Sequence, residues 1–535
     1  MYRRAVGLVL LALTFAVTPL SSAAPTAGGT FRVAEPATYT SSIDGALASL
    51  ASDLTLLNIV CASLVRPPDK PLPEGARLTP ELAAGFPKVS ADRKTYTFTI
   101  RNGLRFSTGA PVTAADVAYT INRILNPRLQ SPNSSGFNTI VGAQKVLAGK
   151  ARTASGIRTS GRTLTIKLVH PVGAFLEDFI SGLCVLPANL PLQPNGVTPP
   201  VPSPAPYYIA EYVPAQRIVL KRNTYYRGSR PQHVDRFVFD LTVDDNQALD
   251  DVVTGAADYA WVAPPSYAAR TPEFAQRFGV NKRQFFVKRG SFLRMFALNT
   301  SRPLLRNNVR LRRAINFAVD RRALVGVAGS LSGVPADHYV LPIMPGYQRV
   351  HVYPVGRPNV AKARALARGQ TRGGTLVLYV PTRPGAKEQA QIIKQNLKQI
   401  GLDVEIKIFP AGPAYFDRLA NPAEPFDMAW YNTLLTTLDP GTSLNGLFDG
   451  GAIGTPANGN FSYFNSARWN RALRRASRLS GKARFRTYGR LDVRLAREAA
   501  PTLAWSVDNA LTLVSARTGC VVANPYLDVE AACLK

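Results

Sequence analysis

The chain is poor in the residues on which most active-site chemistry depends: its 535 residues include four cysteines, four methionines, four tryptophans and four histidines. The histidines, His170, His233, His338 and His351, fall in four different predicted segments, and neither a GxSxG elbow nor an HExxH helix accompanies them. A secreted hydrolase is therefore the weaker reading, and no catalytic residue is assigned. The cysteines show neither CxxC spacing nor a zinc pattern, so no metal and no other cofactor is expected. Acidic residues are scarce: 34 Asp and Glu face 64 Lys and Arg, a formal net charge of +30. Such an excess would attract nucleic acid, anionic envelope polymers or acidic membrane surfaces. Its densest run, Arg468 to Arg497, sets Arg471, Arg474, Arg475 and Arg478 at helical spacing around Ala472, Leu473 and Leu479. That pattern is an amphipathic helix with a solvated basic face. Only Trp469, Phe485 and Tyr488 could stack on bases there, so no nucleic-acid partner is expected.

What is present is ordinary globular material, 46% hydrophobic and 18% charged, in a chain too long for one core. Tyr2-Arg3-Arg4, the apolar run Ala5 to Val17 and the small residues Ser21-Ser22-Ala23-Ala24 read as an export signal over residues 1–23. The run is short for a membrane span of about 20 residues, and no later stretch is long and apolar enough for one. No cysteine follows it, so no lipid attachment site is expected there. An exported chain with an even number of cysteines suggests disulfides, and four cysteines allow three pairings. Cys520 and Cys533 lie close in sequence and form the natural local pair, which leaves Cys61 with Cys184; free buried thiols are the alternative.

Strand and helix patterns interleave along the whole chain, as in an α/β fold. Tyr96, Phe98 and Ile100 alternate with Thr95, Thr97 and Thr99, a half-buried strand. Thr113 with Asp116 three residues on resembles a capping box opening a helix over Ala114 to Leu125 that Pro127 ends. Strands are predicted at Thr163–Val169, Arg217–Lys221 and Val234–Leu241, and a helix at Asp244–Val253 stopped by Gly255. In the second half, Phe292–Leu298 is a strand, and Asn308 caps a helix carrying Val309, Leu311, Ile315, Val319 and Leu324. Leu376–Val380, a helix over Lys387–Ile400 and Val404–Phe409 form a strand–helix–strand unit that favours parallel pairing. Phe426–Tyr431 is one more buried strand, followed by the turn Asp439-Pro440-Gly441.

The stretch Leu78 to Pro127, LTPELAAGFPKVSADRKTYTFTIRNGLRFSTGAPVTAADVAYTINRILNP, resembles the signature of the extracytoplasmic solute-binding proteins of ABC importers, the oligopeptide/dipeptide/nickel-binding family (family 5). Further segments resemble that family in the right order: Tyr207 to Phe239, Phe296 to Val325, then KARALA, IKQNLKQIGLDVEI, FDMAWYN and LDPGTSLNG. The resemblance implies a two-lobed periplasmic-binding-protein-like clamp with two hinge crossovers. Lobe 1 would comprise residues 24–262 plus 505–535, with an inserted subdomain at about 55–205, and lobe 2 residues 265–500. Ala260 to Ala263 and Thr502 to Trp505 would be the crossovers. It further implies a monomer, exported to the periplasm or extracytoplasmic envelope, that captures a small molecule, by default an oligopeptide or dipeptide, and delivers it to ABC permease subunits. A metal chelate, a sugar or an opine is the alternative solute. Closure around such a ligand needs no chemistry on it.

In that family an aspartate before the Asp-Pro pair receives the peptide's amino group; the matching position here is Thr436, and the aromatic expected at Thr433 is missing. A neutral threonine cannot supply the charge-assisted bond that an ammonium group requires. The ligand-binding candidates are Trp430, Tyr431, Asn432 and Thr436 after the second-lobe strand, Asn299 at the end of Phe292–Leu298, and Trp261 and Trp505 at the crossovers. An arginine is expected to trap a carboxylate, but the sequence does not single one out.

Overall fold

The alternation TYTFT forms the strand Thr95–Thr99, with Tyr96 and Phe98 turned into a core and the threonines away from it. In the computed structural model, which describes residues 28–535 except 51, 73, 263, 268, 435, 436, 455–458 and 524–526, this strand lies in a four-stranded antiparallel sheet. Its companions are Lys88–Val89, Thr163–Lys167 and Ile157–Ser160. The sheet shares an apolar core with the helix Ala114–Ile124. The capping box is formed: Asp116 accepts bonds from the Thr113 N–H (2.7 Å) and hydroxyl (2.8 Å). Cys61 is bonded to Cys184 and Cys520 to Cys533. The export signal over 1–23 lies outside the described residues. Among the described residues no helix is long and apolar enough to cross a membrane.

Two larger sheets carry the two lobes. The first runs in the order Tyr259–Ala260, Thr30–Ala34, Arg236–Asp240, Arg217–Arg222, Tyr207–Val213, and its first three strands are parallel. The second runs Gly333–Pro335, Thr502–Leu513, Phe285–Leu298, Met428–Leu434, Leu376–Pro381, Val404–Phe409. Here the strand–helix–strand unit is in place: Leu376 pairs Val404 in parallel, with the helix Ala386–Lys398 between them in sequence.

The structure departs from the sequence reading in three places. The strand predicted at Phe292 starts at Phe285 and runs fourteen residues, because it is paired along its length with the twelve-residue strand Thr502–Leu513. These two strands tie the lobes together: Phe285, Leu511 and Leu513 pack with Ala34, Leu249, Phe274 and Phe278, whereas Leu293 to Leu298 and Leu503 to Val507 pack in the second-lobe core. Ala260 and Val262 share the first of these clusters, and the helix Thr271–Phe278 lies with them. The helix expected from Val309 to Leu324 is broken at Val319, which is extended. Asp320 then caps a second helix, Arg321–Gly326, by accepting the Ala323 N–H at 2.9 Å. The strand expected from Phe426 starts instead at Met428, because the Asp427 carboxylate is spent on the Val377 N–H.

Candidate functional site

Parallel strands end with their last residues on one edge of a sheet, and ligands of open α/β sheets gather there. In the first lobe, Thr30–Ala34 leads through Glu35 to Tyr39, and Tyr259–Ala260 leads to Trp261. Tyr39 and Trp261 meet edge to face at 4.9 Å, and the Tyr39 hydroxyl donates to Asp245 at 3.0 Å. In the second lobe, Leu376–Pro381 leads into Arg383, and Met428–Leu434 carries Asn432 near its end. In a two-lobed fold of this kind the two sets of strand ends border the cleft.

The second-lobe wall is assembled by register. Arg294 lies in one row with Asn432 on one side and Ser506 on the other. Between that row and the next the pairing slips, Arg294 opposing Ser506 and Met295 opposing Ala504, so Trp505 is the extra residue of a bulge. The Arg294 guanidinium lies 5.5 Å from the Trp430 ring and 5.9 Å from that of Trp505, and Arg383 lies 5.2 Å from the Trp430 ring. Two cations on one tryptophan repel each other unless countered. Arg294 is countered: Asp508 accepts from its Nε at 2.8 and 2.7 Å and lies 2.7 Å from its Nη2. Arg383 is not. Its hydrogen bond is a long one from Nη1 to Asn432 Oδ1 at 3.4 Å, and among the described residues no carboxylate lies in ion-pair contact with it, although the Asp508 charge acts on it from farther off. Loss of solvation, with Arg294 adding to it, pushes its pKa down to about 10, so it stays charged at neutral pH. On the Arg294 side a pocket of about 250 Å³, including its open mouth, is lined by Arg294, Val325, Ser332, Trp505 and Asp508. Most of that volume is the open mouth, and the enclosed part has room for about one water molecule. The Trp505 Nε1–H is buried there without a hydrogen-bond partner.

The structure thus brings Trp430, Asn432 and Trp505 together around Arg294 and Arg383, whereas Trp261 sits in the first lobe against Tyr39. Trp430 is also tied to the core by a bond from Nε1 to Gln389 at 3.1 Å. Tyr431 points to the other face of its strand, edge-on to Phe461 at 5.5 Å, and is core. Asn299 is also core: it donates to the Phe426 carbonyl at 3.0 Å and accepts from Ser301, at the end of the sheet away from Asn432. Thr436 lies outside the described residues. Arg383, Arg294, Asp508 and Tyr39 were not singled out from sequence, although the position of Arg383 just beyond a predicted parallel strand was a usable signal.

Elsewhere buried arginines such as Arg312 and Arg321 are satisfied by backbone carbonyls, and other charged groups pair with one another. His338 Nδ1–H donates to the Asp492 carboxylate at 2.7 Å in the second-lobe core, and among the described residues no serine, threonine or cysteine hydrogen-bonds a histidine. The carboxylates of Asp69, Asp528 and Glu530 cluster within 4.8 Å of one another, but Arg66 and Arg230 lie against them and supply the counter-charge. A second pocket, lined by Ile43, Val60, Cys184 and Val201, is apolar and lies inside the first lobe.

Residues 77–455 match the family described as bacterial extracellular solute-binding proteins, family 5 Middle. Protein XP55 of Streptomyces lividans is 28% identical over 349 residues, 62% of this chain and 59% of that protein. The glutathione-binding protein GsiB of Salmonella typhimurium is 26% identical over 344 residues, 62% of this chain and 61% of its own length. The chain therefore aligns with about six-tenths of these curated relatives. Among solved structures, the clavulanic acid biosynthesis oligopeptide binding protein 2 superposes with a TM-score of 0.83 at 20% identity, covering 95% of this chain and 96% of that one. The Escherichia coli murein tripeptide binding protein MppA gives 0.74 at 20% identity, covering 95% and 99%. At these identities the superpositions establish the fold, a two-lobed α/β clamp.

Proposed function

The chain belongs to the family 5 bacterial extracellular solute-binding proteins, and from that premise we propose that it captures a small carboxylate-bearing solute, in first place a dipeptide or oligopeptide, in the cleft between its lobes for delivery to an ABC permease. The observation that carries the ligand class is Arg383, a desolvated guanidinium on the cleft wall that no carboxylate among the described residues contacts, Asp508 being engaged by Arg294. A desolvated charge is costly to hold open, and a ligand carboxylate offers the bidentate partner that its planar fork fits. Thr436 brings no charge for a ligand amine, so the anionic end of the ligand is the one recognised. Trp505 lines the small pocket beside Asp508, and Trp430, buried in the second-lobe core, backs both guanidinium groups. Relatives named for glutathione and for dipeptides support the peptide class.

Calorimetric titration of the purified protein with peptide pools, bearing either free or amidated C-termini, tests this. A charge-assisted bond contributes about 1.5–3 kcal/mol, so amidation is expected to weaken binding by roughly ten- to a hundred-fold. Equal affinity for the two pools would remove Arg383 from the ligand site. The ligand is expected to leave unaltered, which mass spectrometry of the released solute checks.

A further inference from the structure

The lobes also meet outside the arginine wall. The turn after Pro171, in the inserted subdomain, reaches the second lobe with backbone against backbone: the Gly173 N–H donates to the Ser477 carbonyl at 3.0 Å. A methyl group on Gly173 would lie 2.0 Å from the Leu479 carbonyl oxygen and 2.8 Å from that of Ser477, so only glycine admits this approach. Five residues on, Asp178 accepts from the hydroxyl of Thr437 at 3.0 Å and from that of Thr442. Arg93, beside the same subdomain sheet, donates to the Arg478 carbonyl at 3.1 Å. The receiving surface is rigid. Asp439 caps the helix Pro440–Phe448 by accepting the Gly441 N–H at 2.7 Å, and Arg484 clamps the same carboxylate with two bonds of 2.7 Å. Phe175 and Ile180 anchor the turn in the subdomain core, while Leu444, Leu473 and Tyr488 anchor the acceptor in the second-lobe core. The contact therefore joins two separately packed bodies.

We propose that this turn is a latch: through Gly173 and Asp178 the inserted subdomain holds the second lobe closed in the absence of ligand, and so sets how tightly the cleft binds. Each bond in it is made between residues at least 259 positions apart and is lost when the lobes separate. The latch rests on the two-lobed clamp but not on Arg383. Thr437 follows the strand whose Asn432 faces Arg383, so the latch and the ligand wall share one segment.

The charge in the latch gives it a pH dependence. Burial holds the Asp178 carboxyl up to about 7; Asp439 adds to this, and the hydroxyls of Thr442 and Thr437 and the Arg484 charge oppose it. The other groups facing it are Glu177 on the same turn, also raised by burial, and the Tyr488 hydroxyl behind Arg484. Separation of the lobes rehydrates Asp178 and returns it to the ordinary carboxylate range near 4. The closed form therefore takes up a proton on closing between pH 4 and 7, so mild acid favours closure. Above pH 7 the carboxylate is ionised in both forms, and its lost solvation counts against the closed one.

Small-angle X-ray scattering on the ligand-free protein tests this with Gly173→Val and Asp178→Ala. The wild type is expected to match the curve calculated from this closed structure at pH 5.5 and to expand at pH 8.5. Gly173→Val should be expanded at both, and its melting temperature should stay near that of the wild type, because lobe separation relieves the clash. Should valine unfold the turn, Asp178→Ala, which only removes two acceptors, must by itself expand the protein at pH 5.5. Asp178→Asn should remove the pH response. A wild type already open at pH 5.5, or wild-type and Asp178→Ala curves that superimpose, overturns the latch while leaving the ligand site untouched.

Discussion

Replacing Arg383 by methionine should have opposite effects on folding and on binding. The guanidinium is held on the cleft wall by a 3.4 Å bond to Asn432 and by the Trp430 ring 5.2 Å away. Its pKa, down from 12.5 to about 10, corresponds to roughly 3 kcal/mol of lost solvation and like-charge repulsion from Arg294. Arg383 is half-buried, so solvent screening cuts that to about 1–2 kcal/mol. Removing the charge recovers this amount. Against it stand the cation–π contact, about 0.5–1 kcal/mol, of which a methionine thioether keeps part through its own contact with the ring, and a long hydrogen bond that orients the guanidinium while adding little to stability. The net expectation is a ligand-free protein as stable as the wild type or up to about 1 kcal/mol more stable, with peptide affinity reduced by ten-fold or more. The control is Arg230→Met. Arg230 is fully engaged, with Glu530 at 2.8 and 3.0 Å, Glu81 at 2.9 Å and the Cys61 carbonyl at 2.6 Å. Its loss takes the ion pair from Glu81 and leaves Glu530 with Arg66 alone at 3.7 Å, at a cost of about 3–5 kcal/mol. Urea unfolding of both variants without ligand, alongside a peptide titration of Arg383→Met, gives the comparison. If Arg383→Met lost more than about 1 kcal/mol of stability, or bound peptide like the wild type, the group would be structural and the ligand assignment wrong.

Three further outcomes follow from the fold. The Cys61–Cys184 bridge closes a sequence separation of 123 and Cys520–Cys533 one of 13. Loop-closure entropy then assigns them about 5 and about 3 kcal/mol, so in urea titrations the double-alanine variant of the first pair should be less stable than that of the second by about 2 kcal/mol. Asp508→Asn leaves Arg294 with no counter-charge beside Arg383, and should lower ligand-free stability by about 2–4 kcal/mol in the same assay. Thr113→Ala removes one half of a capping box and should cost about 1 kcal/mol. Asp116→Ala should cost more, because that carboxylate also accepts the Ala188 N–H at 2.7 Å.

How much of this was legible before the structure depends on whether a residue's role is local. Thr95–Thr99 and the capping box were readable because alternation and caps are properties of consecutive residues. Thr502–Leu513 was not: it is buried on both faces over nearly its whole length, so no period of two shows, and Ser506, Asp508 and Asn509 make it read as polar. Its identity as a strand comes from its neighbours Phe285–Leu298 and Gly333–Pro335. The position of Arg383 beyond a parallel strand was readable, but its isolation depends on Trp430, Asn432 and Arg294, each at least 47 positions away.

Asn299 and Asn432 show the same limit and yield a sharp test. Both are asparagines at or near the end of a predicted second-lobe strand, and in sequence they are equivalent. Strand direction separates them. Phe285–Leu298 is antiparallel to Met428–Leu434, so pairing Leu298 with Met428 puts Asn299 at the far end of the sheet, while Arg294 opposite Asn432 puts the latter at the cleft. Asn299 is 1% exposed and shapes a turn, bonding Phe426 and Ser301. Asn299→Ala leaves a buried carbonyl and a turn amide unpaired, and should cost about 1–3 kcal/mol of stability with peptide affinity unchanged. Asn432→Ala loses only the long bond to Arg383 and should leave stability within about 0.5 kcal/mol of wild type. It also frees the Arg383 fork to swing, so peptide affinity should fall several-fold, as calorimetry on the two variants can measure. If both changes weakened binding equally, the cleft would not lie where the parallel strands end.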